Sequence, residues 1–196
     1  MEMMRELTDE SKICSWIENY NQGIRPTVVR DHSHYSSKPT FEALMAAVEK
    51  CENHAGRRHS HQWRVAHDAC IQTANNLRKS ERAIRSCTSF AQLIEIVGEC
   101  SVKGYAELSV YDTAVRIGAW LGIYPDYVYL HRGTRVGARM LGLPTNRQYL
   151  LISELPVPLQ AVSADDAENI LCIYAAHPER DGFHCGRKRR RRVTSC

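Results

Sequence analysis

The chain has 196 residues and a mass of 22.3 kDa, enough for one domain that buries a core without metal or disulfide staples. Hydrophobic residues make up 43% and charged residues 24%, which excludes wholesale disorder. The net charge of +4 comes from one run, Arg187-Lys188-Arg189-Arg190-Arg191-Arg192; residues 1–186 sum to −2.

The chain reads as helices separated by short polar turns. Ile13, Trp16, Ile17 and Tyr20 form one helical stripe over 9–21. Residues 22–39 read as a loop, with Gly23, Pro26, Pro39 and the polar run Asp31-His32-Ser33-His34. Thr40 caps a helix with Leu44, Ala47 and Val48 inward and Gly56 beyond its end. A longer polar helix follows over roughly 61–85, with Trp63, Ala66, Cys70, Ala74 and Leu77 facing in. Ser89 with Gln92 opens a helix carrying Phe90, Leu93, Ile94 and Val97. After a turn at Lys103-Gly104, Ser109 with Asp112 opens another, carrying Ala114, Ile117, Gly118 and Leu121. Tyr127–Leu130 fits a short strand or a helical turn. Thr134 caps a helix through Met140, and Ser163 with Asp166 caps a last one carrying Ile170, Leu171 and Tyr174.

This pattern predicts an all-α fold: one globular domain of six to eight helices over 1–178, followed by a basic tail over 179–196. No run of about 18 apolar residues is present, so no membrane partner is expected. The N-terminus lacks an apolar signal core, which predicts a cytoplasmic protein, or a nuclear one addressed by residues 187–192. Eight cysteines at wide spacing, with no Cys-x-x-Cys, fit free thiols on apolar helix faces.

Positive charge within the domain falls on two segments, +5 over 54–85 and +3 over 103–147, flanked by acidic ends. Clustered cations suit a phosphate-bearing partner; they also suit a solvated face paired with the acidic ends. Val102-Lys103-Gly104-Tyr105-Ala106 joins the two central helices. A glycine there supplies positive φ, and the next helix's free N–H groups can cradle a phosphate. The stretch resembles the helix-hairpin-helix element of DNA-binding proteins, including the helical DNA-glycosylase superfamily, over residues 93–143. Ala106 stands where that element has a second glycine. Tyr111-Asp112-Thr113-Ala114-Val115-Arg116 resembles the stretch that bears the superfamily's catalytic aspartate. The resemblance implies DNA binding through Lys103, Gly104, Tyr105 and Arg116, with Asp112 catalytic. The residues themselves also allow Asp112 a plain role as an N-terminal helix carboxylate.

A second anion site is predicted where His131 and Arg132 precede the Thr134 cap, with Arg135 and Arg139 four apart on one face. These arginines could equally pair with Asp126 or the acidic C-terminal segment. His59, His61 and Arg64 surround Trp63 in a polar and aromatic patch that could contact phosphates and stack on a base, or simply start a helix with Trp63 in the core. Cys51, His54, His67 and Cys70 form a mirrored C-x2-H and H-x2-C pattern that could hold zinc; chance explains it as well, and no metal or other cofactor is expected. Gly118 and Gly122, and Gly133 and Gly137, are small pairs suited to close helix packing. The leading expectation is a DNA-binding protein. The alternatives are a DNA- or nucleotide-modifying enzyme, and a protein-interaction module with a basic targeting tail.

Overall fold

The structure, a computed structural model, describes residues 10–177, without the side chains of Ser60 and His61. The basic run at 187–192 lies outside the described residues. The chain forms α1 (Glu10–Gly23), α2 (Arg25–Ser36), α3 (Phe41–Glu49), a 3-10 turn (Ser60–Arg64), α4 (His67–Lys79), α5 (Glu81–Arg85), α6 (Phe90–Cys100) and α7 (Glu107–Leu121). Then come β1 (Val128–Tyr129), α8 (Arg132–Met140), β2 (Tyr149–Leu150), two 3-10 turns, α9 (Ala164–Ile170) and a π-turn (Leu171–Ala175). The fold is all-α, with only the β1–β2 antiparallel pair as sheet among the described residues.

Several segments differ from the sequence expectation. Residues 25–36 are helix, not loop. Pro26 sits in the first turn, where its missing N–H costs nothing, and Tyr35 anchors the helix in the core. Its polar residues face a buried polar site, which is why hydrophobic periodicity did not reveal it. The 61–85 segment is broken at Ala66 and Ser80, and Trp63 is 65% exposed rather than in the core. The Tyr127–Leu130 segment contributes a strand, Val128 opposite Leu150 and Tyr129 opposite Tyr149. Helix α3 ends before Gly56, on Cys51 at φ +51: the Cys51 and Glu52 N–H groups return to the Val48 and Ala47 carbonyls in a Schellman-type closure. The expected caps at Thr40, Ser89 and Ser163 are present; each side chain accepts the N–H three residues on.

The apolar residues divide into two main clusters. One joins α2 to α7 through Tyr35, Leu44, Met45, Leu77, Ile84, Phe90, Leu93 and Ile117. The other joins α1, β1, α8, β2 and α9 through Ile13, Trp16, Leu130, Leu150, Leu159, Ile170 and Leu171. Each fully buried aliphatic side chain contributes about 2 kcal/mol. Small residues set the close approaches. A Cβ on Gly137 would lie 2.0 Å from the Leu171 carbonyl oxygen, and one on Gly133 would lie 2.5 Å from Cys172 Sγ. Between the two clusters the interior is polar, and the candidate site lies there.

Candidate functional site

Helix α7 presents Tyr111, Asp112, Val115 and Arg116 to this seam. Helix α2 adds Val28, Asp31, His32 and Tyr35, and α9 adds Asp165, Glu168 and Asn169. With His59 they line a half-open cavity of about 130 Å3. A second cavity of about 140 Å3 shares Val28, His32 and Asp165 with the first and extends to Arg25, Tyr124 and Ser163. Val28 and Val115 provide apolar wall, and four carboxylates and three cationic or imidazole groups provide the polar wall.

The carboxylates differ in their partners. Asp165 Oδ1 accepts from the Tyr111 hydroxyl at 3.0 Å, and Oδ2 lies 3.5 Å from His32 Nε2. Burial, with Glu168 one turn away, raises Asp165 to about 7. Burial holds His32 below its ordinary value. Both shifts disfavour the charged forms, so the contact has little ion-pair character near neutral pH. Asp166 faces away from the first cavity: it accepts from the Tyr20 hydroxyl at 2.7 Å and from Arg25 Nε at 3.1 Å. Asp112 accepts from Gln62 Nε2 at 2.5 Å, and Gln62 Oε1 accepts from Arg116 Nη1 at 3.1 Å. Asp31 takes His54 Nδ1 at 2.6 Å and lies 3.4 Å from His59 Nε2.

Glu168 is held from the other side. Its Oε1 accepts from His131 Nε2 and, at 2.7 Å, from the Thr134 hydroxyl. Burial pulls His131 down, but Glu168 pulls it further up, for a net rise. His131 Nδ1 accepts the Gly133 N–H, so His131, not Thr134, caps α8. Thr134 is buried one turn in and occupied by Glu168. His131, Glu168 and Cys172 are the one group among the described residues whose ligand atoms, within 4.8 Å of one another, could hold a metal. Because Nδ1 already accepts a hydrogen bond, the ring proton of neutral His131 sits on Nε2, aimed at Glu168. His131, Thr134 and Glu168 thus form a hydrogen-bond clamp between α8 and α9.

The other expected site residues are distributed as follows. Gly104 takes φ +95 and is exposed with Lys103 in the α6–α7 turn. Tyr105 is buried, its hydroxyl 2.6 Å from Thr113 Oγ1. Helix α7 starts at Glu107, with Ala106 as an N-cap that offers no side-chain bond. Asp112 is therefore in the second turn and not a cap; it lines the cavity. Arg116 is buried, over the Tyr35 ring, and does not reach the surface expected for a phosphate contact. Arg135 is paired with Glu107 at 2.8 Å, whereas Arg132, Arg139 and Arg64 are exposed. The His61 side chain lies outside the described residues. The four zinc candidates do not converge. Cys51 and Cys70 approach to 3.7 Å, but His54 is turned to Asp31 and His67 is exposed.

Sequence reasoning missed His32, Tyr111, Gln62, Asp165 and Glu168 as site residues. Asp165 and Glu168 carried one signal: two acids on the inward side of a helix otherwise lined by Ala167, Ile170 and Leu171. No protein-family model matches the chain, and no curated protein and no solved structure matches it.

Proposed function

We propose that the chain is a DNA-binding protein that holds the phosphate backbone at the α6–α7 turn and at Arg132 and Arg139 of α8. The observation that carries this reading is the turn itself. A left-handed, exposed Gly104 and an exposed Lys103 stand before a 15-residue helix whose N-terminus no side chain caps. An uncapped helix N-terminus with its dipole, three residues beyond an exposed lysine, is suited to a phosphate. The test is a titration of duplex DNA at several salt concentrations. It uses the full chain with residues 187–192 changed to glutamine, so that tail attraction is removed. Binding should weaken steeply with salt, and Lys103→Glu or Arg132→Glu should each weaken it further and flatten the slope by about one. Absence of binding at low salt overturns the reading.

A second reading is favoured by Asp165. A carboxyl raised to about 7, in a cavity that Asp112 and Glu168 also line, is suited to proton transfer. In that reading the chain is an enzyme acting on DNA or a nucleotide. Asp165 moves the proton, and Asp112 supplies a second carboxyl beside the reacting group. Asp165→Asn and Asp112→Asn should each abolish turnover of a DNA or nucleoside substrate while the protein stays folded by circular dichroism. Retained turnover in both variants excludes this reading.

A further inference from the structure

The side chain that departs furthest from expectation is Trp63. It is 65% exposed, yet it is not loosely held: its indole N–H donates to the Arg58 carbonyl at 3.2 Å. The segment that carries it is itself rigidly built. Asn53 Oδ1 accepts the Ala55 and Arg57 N–H groups, each at 3.0 Å, and Arg58 bridges to Glu52 through the backbone. The Arg58 guanidinium donates to the Val65 carbonyl at 2.8 Å and to Cys70 Sγ at 3.3 Å.

Residues 54–64 contain Arg57, Arg58 and Arg64 and no acid. Arg57 and Arg64 are exposed with the indole. Val65 packs in a small cluster with Val102 and Tyr105, the residues that flank Lys103-Gly104. Val65, two residues after Trp63, thus ties this segment to the α6–α7 turn. A planar ring held in solvent, on a segment with exposed arginines before and after it, matches a ligand with an exposed π-face and a phosphate beside it. Bases within a duplex hide their faces; only an unpaired base presents one.

We propose that Trp63 is a stacking platform for an unpaired base, with Arg57, Arg64 and Lys103 on the flanking phosphates, so that the partner is single-stranded DNA. This rests on the DNA reading above. The test uses the full chain with residues 187–192 changed to glutamine, a short thymidine oligonucleotide, and the duplex of the same length. Trp63→Leu should lower affinity for the single strand about tenfold and leave duplex affinity unchanged. Trp63→Phe should keep most of the affinity but lose the quenching of tryptophan emission that the oligonucleotide causes in the unsubstituted chain. Unchanged single-strand affinity in Trp63→Leu, or no quenching in the unsubstituted chain, overturns the stacking proposal alone. Tighter binding of a uridine oligonucleotide overturns the assignment to DNA. No binding of either DNA form overturns this proposal and the DNA reading together.

Discussion

The Tyr111 hydroxyl donates to Asp165 Oδ1 at 3.0 Å and so ties α7 to α9 across the polar seam. Burial pushes Tyr111 far above its ordinary value, and Asp165 pushes it further, so it stays a donor at all working pH. Its partner is the group whose charge state changes.

Asp165 titrates near 7 in the fold and near 3.9 when unfolded, so the folded state binds its proton more tightly. Its contribution is favourable while the group is protonated. Stability therefore falls as pH rises from about 4 to 7 and levels off above that. Asp165→Asn removes this dependence. The variant should melt higher than the parent at pH 8, by about 1–3 kcal/mol of stability, and the gain should shrink toward pH 5. A gain that does not vary with pH would contradict the assignment.

Glu168 acts in the opposite sense on His131. A histidine raised in the fold adds stability below its unfolded value, and that stability is lost as pH rises through the folded value. Glu168→Gln withdraws it, and it also relieves the Coulombic pressure on Asp165. The variant should be most destabilised near pH 5.5 and recover relative to the parent by pH 8. Urea denaturation at the two pH values measures this.

The glycines of α8 and α6 should respond in opposite ways to alanine. Gly137→Ala places a methyl 2.0 Å from the Leu171 carbonyl oxygen, and backbone must move to admit it. A loss of about 3 kcal/mol or more is expected. Gly98 lies inside α6 with nothing within 4 Å of its missing Cβ. Gly98→Ala should stabilise by up to about 1 kcal/mol through helix propensity. Chemical denaturation of the two variants checks both signs.

Two arginines drawn from the same sequence stretch should likewise separate. Arg116 is buried, donates to Gln62 and lies over Tyr35. Arg116→Ala leaves the buried Gln62 carbonyl without its donor and should cost about 3 kcal/mol. Arg132 is exposed, so Arg132→Ala should hold stability within about 0.5 kcal/mol and act on DNA affinity alone. Thermal melts alongside DNA titrations distinguish the two.

Helix type and most caps were legible in the sequence because they are local. Thr40, Ser89 and Ser163 lie within three residues of the groups they satisfy. The positive φ of Gly104 was legible for the same reason. Helix α2 was not, because its inward face is polar and its partners, Asp165 and Glu52, lie elsewhere in the chain. Arg116 and Arg135 looked alike as basic residues on helices. What distinguishes them is Gln62 and Glu107, contacts 54 and 28 residues away along the chain. The clamp of His131, Thr134 and Glu168 was half visible: the first two were read as an anion site, and the acid that occupies it comes from α9.

The division of the interior into two apolar clusters has a consequence for motion. Parting two helices across a continuous apolar core exposes hydrocarbon to water. Parting them across the seam exposes hydroxyls, carboxyls and imidazoles that water can solvate at once, so the free-energy difference is smaller. Opening along the seam therefore costs less than opening within either core.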